Sequence, residues 1–157
     1  MKVTIYSRKA IEKIQKQDFP KNVAVISFYD PNEGQTAPRY KPVDYTGKSD
    51  WVFQVAIHDI DLSVLGKFNM TYDTYFPEAD QLAKFIYDAK ENGLDIICQC
   101  EYGESRSSGC AAAILEHFYK NGISIFADYR YYPNQLIYHK VFDALEKYKN
   151  THEDLYL

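Results

Sequence analysis

Residues 100–107, with the sequence CEYGESRS, combine side chains that suit both the binding of a tetrahedral anion and attack on it. Gly103 lets the backbone pass close to a bound group, and the planar guanidinium of Arg106 matches two oxygens of a phosphate. The thiolate of Cys100 is a good nucleophile at neutral pH where backbone amides and a helix dipole stabilise it. This order of residues predicts attack on phosphorus through a cysteinyl-phosphate intermediate.

The segments on either side explain how such a site would be held. The apolar run LDIICQ, at 94–99, predicts a buried strand, and residues 107–121 predict a helix that ends before Gly122. A loop from a strand to a helix N-terminus directs several backbone N–H groups at one place, and the helix dipole adds positive potential there. We therefore expect the substrate phosphate to lie against Glu101, Tyr102, Gly103, Glu104, Ser105 and Arg106.

The remaining elements predict the fold that surrounds this loop. Short apolar runs predict further strands at 2–6, 23–28 and 51–58. Helical spacing of apolar residues predicts helices after Ser7, from Pro77 to Gly93, and after Pro133. Strands alternate with helices, which predicts an α/β fold with a central, mainly parallel sheet flanked by helices. The length of 157 residues fits one domain, 1–157.

Composition narrows the functional classes. The formal charge of −4 argues against a general nucleic-acid binder, so a nucleic-acid partner is not expected. The chain has three cysteines, whose spacing matches no zinc motif, and we predict neither a metal nor a cofactor. The N-terminus lacks an apolar signal region, and no run is long enough for a membrane helix, so we expect a cytoplasmic protein without a membrane partner. The sequence predicts no oligomeric state.

The string C-E-Y-G-E-S-R-S resembles the C-x-x-x-x-x-R-[ST] signature of the protein tyrosine phosphatase superfamily, in the form typical of its dual-specificity branch and of small bacterial and phage phosphatase-like proteins. Upstream, YFPEADQLAKFIYDAKENG resembles the helix that precedes the signature in that branch. The resemblance implies a phosphatase-like fold in which Cys100 is the nucleophile and Arg106 binds the phosphoryl group. It also implies that Ser107 supports the leaving thiolate, although the same hydroxyl would serve as an ordinary helix N-cap.

Members of the superfamily use an aspartate on an upstream loop as the general acid. The stretch VAIHDID offers Asp59 and Asp61 just after a predicted strand. The strand pattern of the branch places Asp59 on the matching position, so Asp59 is the first choice. Alternation puts both carboxylates on the same side of an extended chain, so spacing does not separate them, and either could instead cap a turn.

The resemblance implies hydrolysis of phosphate monoesters, with phosphotyrosine, phosphoserine or phosphothreonine in proteins as the preferred substrates. Phosphoinositides and RNA 5′-phosphates remain open as alternatives, because relatives of the signature act on them. Two other functions compete with this interpretation. One is a catalytically weak phosphate-binding module of the same fold, and the other is a sulfur-transfer enzyme of the rhodanese type.

Several nearby residues leave alternatives open. Gln99 stands where the family usually carries a histidine, and since it cannot become positively charged, we expect a less stabilised thiolate. Cys98 is either a buried core thiol or a disulfide partner of Cys100. The long loop at 30–49 could cover the substrate with Arg39 or Lys41, and Arg130 could meet a second anionic group or lie on an ordinary surface loop.

Overall fold

The computed structural model describes residues 1–32 and 34–152. Within these residues, four strands form one sheet: β1 (Val3–Ser7), β2 (Val23–Tyr29), β3 (Val52–Ala56) and β4 (Asp95–Cys100). Their order across the sheet is β1-β4-β2-β3, and every neighbouring pair is parallel. The predicted α/β fold with a mainly parallel central sheet is therefore confirmed.

The helices are α1 (Arg8–Gln15), α2 (Ala79–Glu91), α3 (Arg106–Tyr119), α4 (Ile123–Phe126) and α5 (Gln135–Thr151). Ser7 caps α1 as the sequence predicts, since its hydroxyl accepts a hydrogen bond from the backbone N–H of Ala10 at 3.0 Å. Helix α3 ends earlier than predicted because Lys120 adopts a left-handed conformation with φ of 54°. The sequence analysis did not predict α4 or the two 3₁₀ turns, Pro38–Tyr40 and Leu62–Phe68.

The helices cover both faces of the sheet. Alternate residues of β2 point to opposite sides: Ala24, Ile26 and Phe28 belong to the larger core with α2, α3 and α5, whereas Val25 packs with Ile11 of α1. Strands buried on both faces are expected for a parallel sheet, and they explain why these strands are continuous apolar runs. In the described part of the chain, each helix is too short or too polar to span a bilayer.

The sheet brings the carboxyl ends of its strands to one edge, where parallel α/β folds usually bind ligands. Strand β4 lies between β1 and β2, and it carries Cys100 as its last residue. Residue Asp30 follows β2 at the same edge, and Asp59 lies shortly after β3. Helix α3 starts next to this edge at Arg106. The fold thus places the ends of three strands and the start of one helix around a single point.

Candidate active site

Cys100 and Ser107 meet at the floor of the loop that joins β4 to α3. The sulfur of Cys100 lies 3.1 Å from the hydroxyl oxygen of Ser107, and both side chains are buried. The N-cap position of α3 is Ser105 and not Ser107, so the alternative interpretation of Ser107 as the helix cap is wrong. The Ser107 hydroxyl is instead placed to donate a hydrogen bond to a thiolate.

Two carbonyl groups of the loop at 100–107 are held by hydrogen bonds from neighbouring segments. The carbonyl of Glu101 accepts from the Arg8 N–H at 3.1 Å, and that of Glu104 accepts from the Tyr132 N–H at 2.8 Å. The carboxylate of Glu101 also binds the Arg8 side chain at 2.8 Å. Within the described residues, the N–H groups at 102–105 donate to no protein acceptor. The loop therefore offers a set of unpaired amide donors at a helix N-terminus, where an anion is favoured.

Gly103 is needed for a reason that the sequence did not reveal. Its φ is +67°, and an added Cβ would lie 2.7 Å from the backbone nitrogen of Ser7. The loop thus packs directly against the end of β1, where no side chain fits. A substitution here would strain the backbone and displace the loop amides.

Arg106 is buried, with its side chain 3% exposed. Its Nη1 donates to the Asp30 carboxylate at 2.6 Å and to the Ile57 carbonyl at 2.9 Å. Its Nε is buried and has no hydrogen-bond partner among the described residues. An unpaired buried donor costs about 1–3 kcal/mol, so such a group indicates a missing ligand. The guanidinium is therefore fixed along one edge and has a donor left for an anion.

Asp30 is the residue at this site that sequence reasoning missed. It is buried and forms ion pairs with both Arg106 and Arg39. Burial acts to raise the pKa of Asp30, but the hydrogen bond from Arg39 and the positive charge of Arg106 outweigh it and hold the pKa below its ordinary value. The signal that could have found it is an aspartate close behind a predicted buried strand, the same signal that made both Asp59 and Asp61 candidates.

The structure separates the two candidate acids. Asp59 contacts the loop: its Oδ1 accepts hydrogen bonds from the Ser105 hydroxyl at 2.7 Å and from the Asn134 side-chain amide at 2.8 Å. Asp61 instead caps the 3₁₀ turn at Leu62–Phe68, where its Oδ1 accepts from the Ser63 N–H at 2.9 Å. Asp61 thus has the turn-capping role that the sequence analysis left open. Asp59 is the carboxylate that lies against residues 100–107.

Gln99 is fully buried, and both ends of its side-chain amide are hydrogen-bonded. Its Oε1 accepts from the Ser27 hydroxyl at 2.5 Å and from the Tyr45 hydroxyl at 2.7 Å, while its Nε2 donates to the Cys100 carbonyl at 3.0 Å. Burial raises the pKa of Tyr45, which keeps its hydroxyl protonated as a donor. Gln99 therefore fixes the backbone of Cys100 without adding a charge.

A cleft of about 360 Å³ lies beside Asp30 and Asp59, the two carboxylates that contact Arg106 and Ser105. It is lined by Asp30, Pro31, Gln35, Arg39, Tyr40, His58, Asp59, Ile60 and Phe68. The early loop contributes Arg39 to this lining, and its covering of a substrate stays a prediction. Lys41 is absent from this lining.

The remaining sequence candidates have structural roles. Cys98, Cys100 and Cys110 are free thiols, so no disulfide joins Cys98 to Cys100. A hydrogen bond to Cys110, together with burial, raises the pKa of Cys98 well above its ordinary value, as suits a core thiol. Arg130 binds Asp128 at 2.7 Å on the surface segment that touches Glu104 through Tyr132.

Comparison with known proteins shows which solved structures share this fold. No protein-family model matches the chain, and no curated protein matches it in sequence. Solved structures do match. A human tyrosine phosphatase-like serine/threonine/tyrosine-interacting protein aligns over 94% of this chain and 87% of its own, with 15% identity and a TM-score of 0.54. Human DUSP28 aligns over 95% and 94%, with 15% identity and a TM-score of 0.50.

A third solved structure, of PTPMT1, aligns over 98% of this chain and 95% of its own, with 14% identity and a TM-score of 0.50. At such identities the likeness shows the fold. The chain therefore has the fold of the tyrosine and dual-specificity phosphatases, and the phosphatase-like architecture predicted from the sequence is confirmed.

Proposed function

We propose that this chain is a cysteine-dependent phosphatase that hydrolyses phosphate monoesters. The observation that carries the proposal is the set of unsatisfied donors around Cys100: the N–H groups at 102–105 and the buried Nε of Arg106, none of which has a partner among the described residues. Together these donors match the oxygens of a phosphoryl group held above the sulfur. A thiolate in that position is a nucleophile for phosphorus.

The proposed reaction has two displacements. In the first, the Cys100 thiolate forms a bond to phosphorus while the bond to the leaving oxygen breaks, and Asp59 gives its proton to that oxygen. In the second, Asp59, now a carboxylate, takes a proton from water as the water oxygen attacks phosphorus. The P–S bond breaks, phosphate leaves, and the Ser107 hydroxyl, 3.1 Å from the sulfur, donates to the departing thiolate. These steps require neither a metal nor a cofactor.

The preferred substrates are phosphotyrosine, phosphoserine or phosphothreonine in proteins. Each arginine of the chain already pairs with a carboxylate: Arg8 with Glu101, Arg39 with Asp30, Arg106 with Asp30, and Arg130 with Asp128. Only Arg106 retains an unpaired buried donor within the described residues. This pairing supports a ligand that is held through one phosphoryl group at Arg106. A structure of PTPMT1 in complex with PI(5)P, 12% identical to this chain, makes the phosphoinositide a necessary comparison.

The test is hydrolysis of 4-nitrophenyl phosphate in the presence of EDTA by the wild type, Cys100→Ser and Cys110→Ala. We expect turnover by the wild type, none by Cys100→Ser, and near wild-type turnover by Cys110→Ala, which removes another buried thiol outside the loop. Cys100→Ser should still bind vanadate, because the loop amides and Arg106 are unchanged. Phosphopeptides, PI(5)P and a 5′-phosphorylated RNA, offered in parallel, rank the substrate classes.

Each outcome decides between the competing functions. Hydrolysis by Cys100→Ser at the wild-type rate would exclude Cys100 as the nucleophile. A wild type that binds vanadate but shows no turnover on any substrate would indicate a phosphate-binding module. Transfer of sulfur from thiosulfate to cyanide, with no phosphate release, would indicate the rhodanese-type alternative.

A further inference from the structure

Asn134 connects three parts of the candidate site, although it lies 75 positions from Asp59 in the chain. Its Nδ2 donates to Asp59 Oδ1 at 2.8 Å and to the Ile60 carbonyl at 3.0 Å. Its Oδ1 accepts from the Ile137 N–H at 2.9 Å and so caps α5. Its backbone N–H donates to the Ser105 carbonyl at 3.0 Å. Asn134 thus connects the segment that carries Asp59 and Ile60, the loop at 100–107 and α5.

The two donors at Asp59 bind the same oxygen. Both the Ser105 hydroxyl and the Asn134 amide point at Oδ1, whereas Oδ2 has no hydrogen-bond partner in the described part of the chain. Asp59 also lines the cleft beside the loop. Because Oδ1 is occupied by two donors, a proton on this carboxyl group is expected on Oδ2, the oxygen that is available to a leaving group.

We infer that Asn134 is a positioning residue for Asp59, which rests on the proposed function. It holds Asp59 Oδ1 beside Ser105 and leaves Asp59 Oδ2 as the oxygen that gives and takes the proton. Asn134 does not touch the substrate in this role. It acts by fixing the direction of the Asp59 carboxyl group.

The type of residue matters at this position. Serine, threonine, aspartate and asparagine all cap helices, but only asparagine caps through an oxygen and donates two hydrogen bonds through the same side chain. The backbone of Asn134 is also rigidly placed, since a Cβ at Gly109 of α3 would lie 2.6 Å from the Asn134 carbonyl oxygen. Asn134 is 8% exposed. The side-chain amide of Asn134 is buried and its backbone is closely packed, so it is suited to fixing the more exposed carboxylate of Asp59.

Two substitutions separate the cap from the donor. Asn134→Ser keeps a capping oxygen but removes the amide NH₂ group that donates to Asp59 and Ile60, and Asn134→Asp keeps the shape and the cap but places an oxygen against Asp59. Asn92→Ser is the matched control. The side-chain amide of Asn92 also donates a hydrogen bond at a helix end, to the Asp88 carbonyl at 2.8 Å, and Asn92 lies outside the site. Melting temperatures of all three variants report the structural cost of each change.

The decisive readout is kcat on two substrates that differ in their leaving group. Phenyl phosphate needs a proton at its leaving oxygen much more than 4-nitrophenyl phosphate does. We expect both Asn134 variants to lose about 10-fold or more in kcat on phenyl phosphate, less than the loss for removal of the acid itself. We expect a much smaller loss on 4-nitrophenyl phosphate, with KM and vanadate affinity unchanged, and no loss in Asn92→Ser.

Other results would overturn the inference that Asn134 positions Asp59. Wild-type kcat on phenyl phosphate in both Asn134 variants, with an active wild type and an inactive Cys100→Ser, would overturn the role of Asn134 alone. An equal loss on both substrates with a raised KM would show that Asn134 only maintains the structure. A wild type without hydrolysis would overturn the proposed function and, with it, this role.

Discussion

The two halves of the candidate site are built in different ways. The first half is local: in the proposed reaction, one continuous segment, 100–107, supplies the nucleophile, the unpaired amides and the guanidinium. The second half is assembled from distant segments: Asp30 follows β2, Asp59 follows β3, and Asn134 precedes α5. The first half provides the contacts that a phosphoryl group needs. The second half contacts Arg106 and, in the proposed reaction, transfers the proton.

This difference has a consequence for mutations. A change to a phosphate-binding group of the local half should remove phosphate binding and turnover together, since the same groups hold the ground state and the transition state, whereas Cys100→Ser should remove turnover alone. A change in the assembled half should lower turnover and leave phosphate binding in place. Substitutions in each half, ordered from the largest expected effect to the smallest, test whether the halves separate in this way.

Arg106→Lys should have the broadest effect, because it should lower both phosphate binding and turnover. A lysine cannot make the planar two-point contact with phosphate and leaves at least one substrate oxygen without its donor. We expect kcat/KM to fall by roughly 10²-fold or more, the scale for loss of one transition-state donor, and vanadate inhibition to weaken in parallel. Arg130→Lys is the control, because Arg130 pairs with Asp128 at the surface. Full activity in Arg106→Lys would contradict the proposal that Arg106 binds the phosphoryl group.

Asp59→Asn should break the assembled half alone. We expect kcat on phenyl phosphate to fall by about 10²–10⁴-fold, with a smaller loss on 4-nitrophenyl phosphate. Vanadate binding should persist. Asp61→Asn is the matched control, since Asp61 caps a 3₁₀ turn. If Asp61→Asn shows these losses and Asp59→Asn does not, the acid is two positions further along the chain.

The contrast between the halves also explains what the sequence could predict. Residues 100–107 carry their own signature, and a strand followed by a small-residue helix sufficed to place Cys100, Arg106 and Ser107 on one loop. Asp59 was chosen through the resemblance; its side chain is hydrogen-bonded to Ser105, and its role as the acid stays a prediction. Asn134 and Asp30 were missed because their partners lie far away in the sequence. The hydrogen bonds from Asn134 to Asp59 and from Arg106 to Asp30 form only because the fold brings these segments together.

Gly103 gives a second example of this limit. Its presence in the loop was expected from the need for a close approach to the anion. The close neighbour is instead the backbone at Ser7, because β1 pairs with β4 and ends beside the loop. A local pattern predicts that a glycine is needed, but the strand order decides what the glycine must fit against.

Asp30→Asn tests the link between the halves. Breaking a buried ion pair from one side costs about 3–5 kcal/mol, because the partner charge stays buried. We expect a loss of stability of this order in urea unfolding, with a fall in kcat/KM as Arg106 loses its anchor. Arg39→Lys is the control, since it keeps a positive charge beside Asp30 but leaves the Asp30–Arg106 contact intact. Unchanged stability in Asp30→Asn would show that Ile57 alone positions Arg106.

The same pair predicts a pH dependence. In the folded protein the pKa of Asp30 lies below its ordinary value of 3.8, so the unfolded chain takes up the proton first as the pH falls. The stabilising contribution is therefore fully present above that ordinary value and is lost as the pH falls through the folded pKa. Urea unfolding of the wild type should show this loss in the acid range, and Asp30→Asn should show less of it. Parallel pH curves for the two proteins would contradict the assignment.

Gln99→His should have the smallest effect, because Gln99 lies just before the local half and its replacement removes no donor that faces the phosphate. Gln99 accepts from Ser27 and Tyr45 and donates to the Cys100 carbonyl, and a neutral imidazole can reproduce one acceptor and one donor. A protonated imidazole would add a positive charge next to the thiolate, which glutamine cannot do. We therefore expect iodoacetate inactivation to reach its half-maximal rate at a lower pH in Gln99→His than in the wild type, with the melting temperature little changed. An unchanged inactivation profile, with turnover also unchanged, would mean that the imidazole stays neutral in this buried network and that the loop amides and Arg106 alone stabilise the thiolate.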